Sequence, residues 1–331
     1  MNPREEILAL FSGQRPKRFH CFSGLICVTS AGLENVGVHL HDAHADSVKM
    51  SRAAASTFKL TGIPSAVVPL DLCVEAEALG AEIDFRADSR TTDFPRPVKP
   101  LFERCEQVDV THTSDGRIPL VCDAIRFLKQ DIGGEVIIGA FVPGPFTLLS
   151  LLVKPDQLML DLKRDPDSVH AALDSLVKVL AKSAAAYHQA GADMLTIHEM
   201  GGSPGVIGPK RFETFVLPPL QKLIAFIPKP RVLSVCGDTN GAMPLLALAG
   251  PDAISVDQLN GLAASRQALP GTLIFGNIDP VAVLAHSTVG QVGQAVSSAI
   301  AAGVDAVWPG CDLYPPTPLE NLRAMMKVTC A

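Results

Sequence analysis

Two cysteines far apart in this 331-residue chain stand in similar settings. Cys236 lies in Leu233-Ser-Val-Cys-Gly-Asp238 and Cys311 in Trp308-Pro-Gly-Cys-Asp-Leu313, each where a short apolar run gives way to polar residues. Two thiolates joined by one or two nitrogen or oxygen ligands make a zinc site. His198 and Glu199, at the end of another such run, are the candidates to complete it, with Glu199 the alternative ligand to His198. Free cysteines also serve as small buried hydrophobes, and distant pairs carry little specificity, so both readings stand on spacing alone. Other polar residues close similar runs: Asp71 and Glu75, Asp257, Asn277 and Asp279, and Asp312. Glu199 and Asp257 are candidate acid/base groups, and Asn277 suits orientation of a small substrate. Glu75 is a better binding candidate than Glu77, being nearer the preceding run. Asp279-Pro280 reads as a helix cap followed by proline at the first helical position. His39, His41 and His44 read as a polar surface segment rather than a metal cluster.

The elements that would position these residues are recurring apolar stretches, each rich in β-branched residues and apolar on both faces. They are 65–71, 136–142, 194–198, 231–236, 253–257, 272–277 and 306–311, with a weaker eighth near His20 to Thr29. Helical patterns separate them, most plainly Pro166 to Ala190, Pro209 to Phe226, Val289 to Ala302 and Pro318 to Val328. Eight β/α units in this length predict an α/β fold, a (β/α)8 TIM barrel, read as one domain over 1–331 with a small insertion near 84–110. An open doubly wound sheet is the alternative, but no G-x-G-x-x-G or Walker lysine motif follows any run. In such a barrel, function belongs at the C-terminal ends of the strands, where the polar residues above fall.

Composition narrows the partners. The net charge is −6 and aromatics are 5% of residues, so neither a basic field nor stacking platforms await a nucleic acid. No apolar run reaches the ~18 residues of a membrane helix, and Met1-Asn-Pro-Arg-Glu-Glu lacks the apolar core of a secretory signal. A cytoplasmic location is expected. The eight cysteines form no C-x-x-C pair, which suits core thiols or metal ligands in a reducing compartment.

Longer segments extend these signals. They are Asn2-Pro-Arg-Glu-Glu-Ile-Leu-Ala-Leu-Phe-Ser-Gly-Gln14, Val74-Glu-Ala-Glu-Ala-Leu-Gly-Ala-Glu-Ile-Asp84, Gly144-Pro-Phe-Thr147, Phe275-Gly-Asn-Ile-Asp-Pro280 and, most specific, Pro309-Gly-Cys-Asp-Leu-Tyr-Pro-Pro-Thr-Pro-Leu-Glu-Asn321. Through them, and over nearly its whole length, the chain resembles the uroporphyrinogen decarboxylase superfamily, within it the cobalamin-dependent methyltransferases that act on coenzyme M. The resemblance implies a (β/α)8 barrel and methyl transfer between methylcobalamin, carried on a partner corrinoid protein, and a small acceptor such as a thiol or tetrahydrofolate. It implies zinc held by a His-x-Cys pair and a later cysteine. Cys236 and Cys311 match the cysteines, while Ser234 stands at the histidine position. His198 or Glu199 then replaces that ligand, or the metal is lost and tetrahydrofolate takes the place of the thiol. Glu75, Thr147 and Asn277 are expected to contact substrate. No Asp-x-His-x-x-Gly corrinoid signature occurs, since Asp42-Ala-His-Ala-Asp-Ser47 ends in serine, so the corrinoid should arrive separately. The family's decarboxylases, the alternative reading, clamp a many-carboxylate tetrapyrrole with an arginine-rich motif; here Phe22-Ser-Gly-Leu-Ile-Cys27 occupies that region. A barrel that binds a corrinoid without turning it over is a third possibility.

Overall fold

The computed structural model describes residues 2–14, 18–86, 94–111 and 113–329. Six of the apolar runs form a parallel sheet: β1 (Ser65–Val68), β2 (Ile137–Pro143), β3 (Met194–Glu199), β4 (Arg231–Val235), β5 (Ala253–Val256) and β6 (Leu273–Gly276), paired in that order. Nearly all their residues are buried, as expected of strands covered by helices on one face and packed against a barrel interior on the other. Two further segments continue the sheet through isolated parallel bridges. Ala306 pairs with Phe275 of β6 and Pro309 with Ile278, and Val307 pairs with Cys21. Val307 N–H donates to the His20 carbonyl at 2.8 Å, and Ser23 N–H donates to Ser65 Oγ at 2.9 Å beside β1. These segments are the weak eighth run and the 306–311 run, and they bring the strands to the eight of a (β/α)8 barrel.

Residues facing inward at the bottom fill the interior. Phe22, Met194, Val232, Phe275 and Trp308 form one fully buried cluster, with the Phe275 and Trp308 rings 5.0 Å apart. Gly24 is required above it, because a Cβ there would lie 2.5 Å from Thr196 Oγ1 and from the Trp308 ring. This plug leaves the opposite, C-terminal end for polar side chains.

The helices α1 (Val74–Ala78), α2 (Pro145–Leu152) and α3 (Pro166–Ala190) follow the ends of β1 and β2 and pack outside the sheet. Helix α3 runs as expected, from an Asp165 cap to Gly191, whose φ of +115° suits glycine. The stretch expected as one helix from Pro209 to Phe226 is instead broken: Pro209–Arg211, a π-helical turn over Phe212–Val216, then α4 (Leu217–Phe226). Pro218 and Pro219 have no N–H to return to the preceding turn, which permits the wider register there. In the region expected as an insertion, Ile83 pairs with Pro97 and Asp84 with Arg96 as a short antiparallel ladder. Residues 87–93 of that segment lie outside the described residues, as does Cys330.

Candidate metal centre

His198 and Glu199 end β3, and strand alternation turns them to opposite faces. His198 is in register with Ser234 of β4, which is in register with Ser255 of β5. Two residues beyond Ser234 on the same inward face comes Cys236. The chain leaving Trp308 delivers Cys311 to the same point. His198 Nε2 lies 3.0 Å from Cys236 Sγ, which lies 3.0 Å from Cys311 Sγ. The three ligand atoms fall within 4.8 Å of one another, the one such grouping of metal-binding side chains among the described residues. Of the two candidates to join the thiols, the structure therefore brings His198.

Glu199 goes the other way. Its Oε1 accepts from Thr147 Oγ1 at 2.5 Å and Gly202 N–H at 2.9 Å, and its Oε2 accepts from Phe146 N–H at 3.1 Å. Thr147 Oγ1 in turn accepts from the N–H groups of Met200 and Gly201. A Cβ on Gly144 would lie 2.1 Å from Glu199 Oε2, so glycine is needed where the chain enters α2. Glu199 and Thr147 thus brace the turn after β3 against the start of α2. Neither is brought to the thiols. Burial pushes the Glu199 carboxyl up, opposed by the bonds from Thr147 and from the Gly202 and Phe146 amides.

Asp257 and Asn277 hold the loop that follows Cys236. Asp257 accepts from Gly237 N–H at 2.9 Å and Leu259 N–H at 2.8 Å; burial raises its pKa, and these amides oppose the rise. Asn277 Nδ2 donates to the carbonyls of Asp257 and Asn260, and Asn260 Nδ2 donates to that of Gly237. Asn277, Gln258, Asn260 and Asp279 share the wall of a cavity of about 400 Å³. Asp279 caps the next turn, accepting from Val281 and Ala282 N–H, both at 2.8 Å.

Glu75 is fully buried between α1 and α3, where it accepts from Tyr187 Oη at 3.1 Å. Burial pushes its carboxyl up to about 7, partly offset by hydrogen bonds including that from Tyr187. The structure brings it to the helix packing layer rather than to the thiols. His39 is exposed and His41 half-buried, but His44 corrects the expectation of a surface segment: it is fully buried, with Nδ1 2.8 Å from Asp71 Oδ2. Arg117 grips the same carboxylate with two bonds of 2.9 and 3.1 Å and reaches Glu77 Oε2 at 2.5 Å. Burial disfavours the Asp71 anion, but His44 and Arg117 outweigh it and hold the carboxyl far below its usual range. Nothing in the spacing of Asp71 and Arg117 announced this pair.

At the thiols, the hydrogen bond from Cys236 is the largest influence on Cys311 and pulls it down to about 4; burial opposes, and the neighbouring imidazole assists. Cys236 is correspondingly pushed well above the usual thiol range, first by its bond to Cys311 and then by burial. Burial disfavours the imidazolium, yet Asp312 and Cys311 overcome it and raise His198 to about 9. A buried cation-seeking pair of sulfurs beside an imidazole is a donor set that zinc accepts. Around tetrahedral zinc, with Zn–S near ~2.3 Å, two sulfurs sit roughly 3.7 Å apart. The observed 3.0 Å separation needs a spread of less than ~1 Å to reach it. Three protein ligands also leave a fourth position open, as catalytic sites do.

The barrel and its mouth therefore define a class: a (β/α)8 protein whose C-terminal end gathers an imidazole and two thiols. The chain belongs to the uroporphyrinogen decarboxylase (URO-D) family, which it matches over residues 2–330. Among its relatives, the methylcobamide:CoM methyltransferase MtaA of Methanosarcina barkeri (strain Fusaro / DSM 804) is 30% identical over 308 residues, covering 90% of each chain. The methylated-thiol–coenzyme M methyltransferase of Methanosarcina mazei is 29% identical over 333 residues, covering 99% of this chain and 89% of that one. A solved methyltransferase structure from Methanosarcina mazei superposes with a TM-score of 0.94 at 26% identity, covering 100% of this chain and 98% of that one. Within the family, this chain is an enzyme of the methyltransferase group.

Proposed function

We propose that the protein moves a methyl group between a methylated corrinoid, carried on a partner corrinoid protein, and a small thiol, with zinc held by His198, Cys236 and Cys311. The observation that carries the thiol over tetrahydrofolate is the N/S/S trio with its open fourth position. Zinc bound there would supply Lewis acidity, lowering the pKa of an acceptor thiol so that it reacts as thiolate at neutral pH. In the transfer itself an S–CH3 bond forms as the cobalt–carbon bond breaks, and both electrons of that bond stay with cobalt, taking Co(III) to Co(I). The relatives that are named methylcobamide:CoM methyltransferases support this reading.

The chain's own residues do the placing. Asp257 and Asn260 fix Gly237, and with it the loop bearing Cys236. Asn277 joins that network by donating to the Asp257 and Asn260 carbonyls, and so helps to hold the loop that bears Cys236. Glu199 acts at a remove, through the turn it shares with Thr147. For the decarboxylase alternative, the stretch that would need arginines contributes Phe22, Leu25, Ile26 and Cys27, all buried. Among the described residues no helix is long and apolar enough to cross a membrane.

The test is turnover of methylcobalamin with a panel of thiols and with tetrahydrofolate, followed by the cobalamin spectrum. Thiol-dependent demethylation, lost together with stoichiometric zinc in Cys236→Ser and Cys311→Ser, is the expected result. Full activity in metal-free protein overturns the thiol route, and saturable binding without demethylation makes the protein a carrier.

A further inference from the structure

The histidine at this centre raises a problem of orientation. A ligand two residues from Cys236 on one strand would be held by the same backbone as the thiol. His198 comes instead from the neighbouring strand, so its ring must be fixed by other means. The imidazole is fully buried, its Nε2 faces Cys236, and its Nδ1 has no hydrogen-bond partner among the described residues. A neutral imidazole binds metal through one nitrogen only when the proton sits on the other, and what that other nitrogen meets decides the tautomer. The group facing Nδ1 is the carboxylate of Asp312, with Oδ2 at 4.0 Å. Its Oδ1 accepts from Ile26 N–H at 3.0 Å, which restrains the carboxylate. Asp312 directly follows Cys311, so one turn of chain presents both the thiol and the acid.

We propose that Asp312 is the positioning residue for His198. Its Oδ2 accepts the Nδ1 proton, so that Nε2 is left free of hydrogen and aimed at the metal position between the sulfurs. Closing 4.0 Å to a hydrogen bond of ~2.8 Å needs a shift of about 1 Å, shared between ring and carboxylate. This inference rests on the metal reading above. Asp312 also has a purely structural role available, as acceptor for Ile26, and a variant must separate the two.

Asp312→Asn does so. Asparagine keeps an oxygen for Ile26, but presents an NH2 group to Nδ1. That donor favours the tautomer with hydrogen on Nε2, which cannot ligate. Asp312→Ala removes both contacts. Zinc affinity is measured by competition with a chromophoric chelator, and the visible spectrum of the cobalt(II)-substituted protein reports the ligand field; thermal unfolding monitors the fold. Asp312→Asn is expected to unfold at the wild-type temperature, to bind zinc about 10–100-fold more weakly and to show altered cobalt(II) bands. Wild-type affinity and bands in Asp312→Asn, with loss confined to Asp312→Ala, would leave only the structural role and overturn the proposal. If the wild-type chain itself binds no zinc, the metal reading fails first, and that outcome is distinct.

Discussion

His198 and Ser234 are lateral neighbours in the sheet, paired across β3 and β4 at one level with both side chains turned inward. The resemblance places a histidine at 234, two residues before Cys236, and this chain has serine there. The imidazole enters from the next strand at the same height, and its Nε2 still reaches Cys236 at 3.0 Å. On the proposed reading, the imidazole of the metal site enters from β3 rather than from position 234 of β4.

That relationship predicts an exchange. His198→Ala should lower zinc affinity by at least the ~100-fold reached by outer-contact losses at such sites. Adding Ser234→His to His198→Ala should recover much of it, because position 234 faces the same interior. Chelator competition on the single and double variants checks this; a double variant no better than the single would show that the two positions are not interchangeable.

The brace between Glu199 and Thr147 predicts a loss of stability with the centre intact. Thr147→Val has the same shape without the hydroxyl, and it strips one bond from Glu199 and two from the Met200 and Gly201 amides. Leaving those groups unsatisfied should cost roughly 1–3 kcal/mol in denaturant unfolding. Zinc content should stay stoichiometric. Loss of zinc at unchanged stability would instead tie Thr147 to the centre.

Glu75 makes a prediction in pH. Its carboxyl is raised by burial to about 7 in the folded chain, against about 4.3 when unfolded. A raised carboxyl contributes stability that is fully present below the unfolded value and is lost as pH rises through the folded one. Glu75→Gln keeps an acceptor for Tyr187 and removes that dependence. It should match wild type near pH 4 and exceed it by roughly 3 kcal/mol at pH 8 or above. If Glu75 contacts substrate, the variant would instead raise KM with no change in the pH profile of unfolding.

The two sulfurs predict a response to oxidation once metal is removed. At 3.0 Å they need to close by about 1 Å to reach the ~2.05 Å of a disulfide. Dilute hydrogen peroxide oxidises one thiol to a sulfenic acid, and the other thiol attacks that sulfur, forming the S–S bond as the hydroxyl leaves as water. Metal-stripped protein should lose two titratable thiols and carry a Cys236–Cys311 link in its peptide map. Zinc-loaded protein should resist. Equal oxidation in both forms would contradict a metal bound by these sulfurs.

Much of this was legible before the fold, for physical reasons. Strands buried on both faces write themselves as apolar runs, so 194–198 and 231–236 were visible, and the polar residues ending them marked the mouth. Alternation shows that His198 and Glu199 face opposite ways; only the register with Ser234 shows which one meets Cys236. The strand around Cys21 is faint in the sequence because Ser23, Gly24 and Thr29 interrupt its apolar run. The Asp71–Arg117–His44 cluster joins residues from separate loops, and pairing across such distances leaves no periodic trace. Glu75 near a strand end looked like a mouth residue, but the helix it opens turns it toward Tyr187.

The central claim is that His198, Cys236 and Cys311 hold a zinc ion whose open position takes the acceptor thiol. Zinc K-edge X-ray absorption of the purified protein, with and without the thiol that supports turnover, tests it most directly. The account predicts two sulfurs and an imidazole in the resting protein, with a third sulfur added when thiol is present. Coordination by oxygen and nitrogen alone, or a spectrum that thiol leaves unchanged, would contradict it.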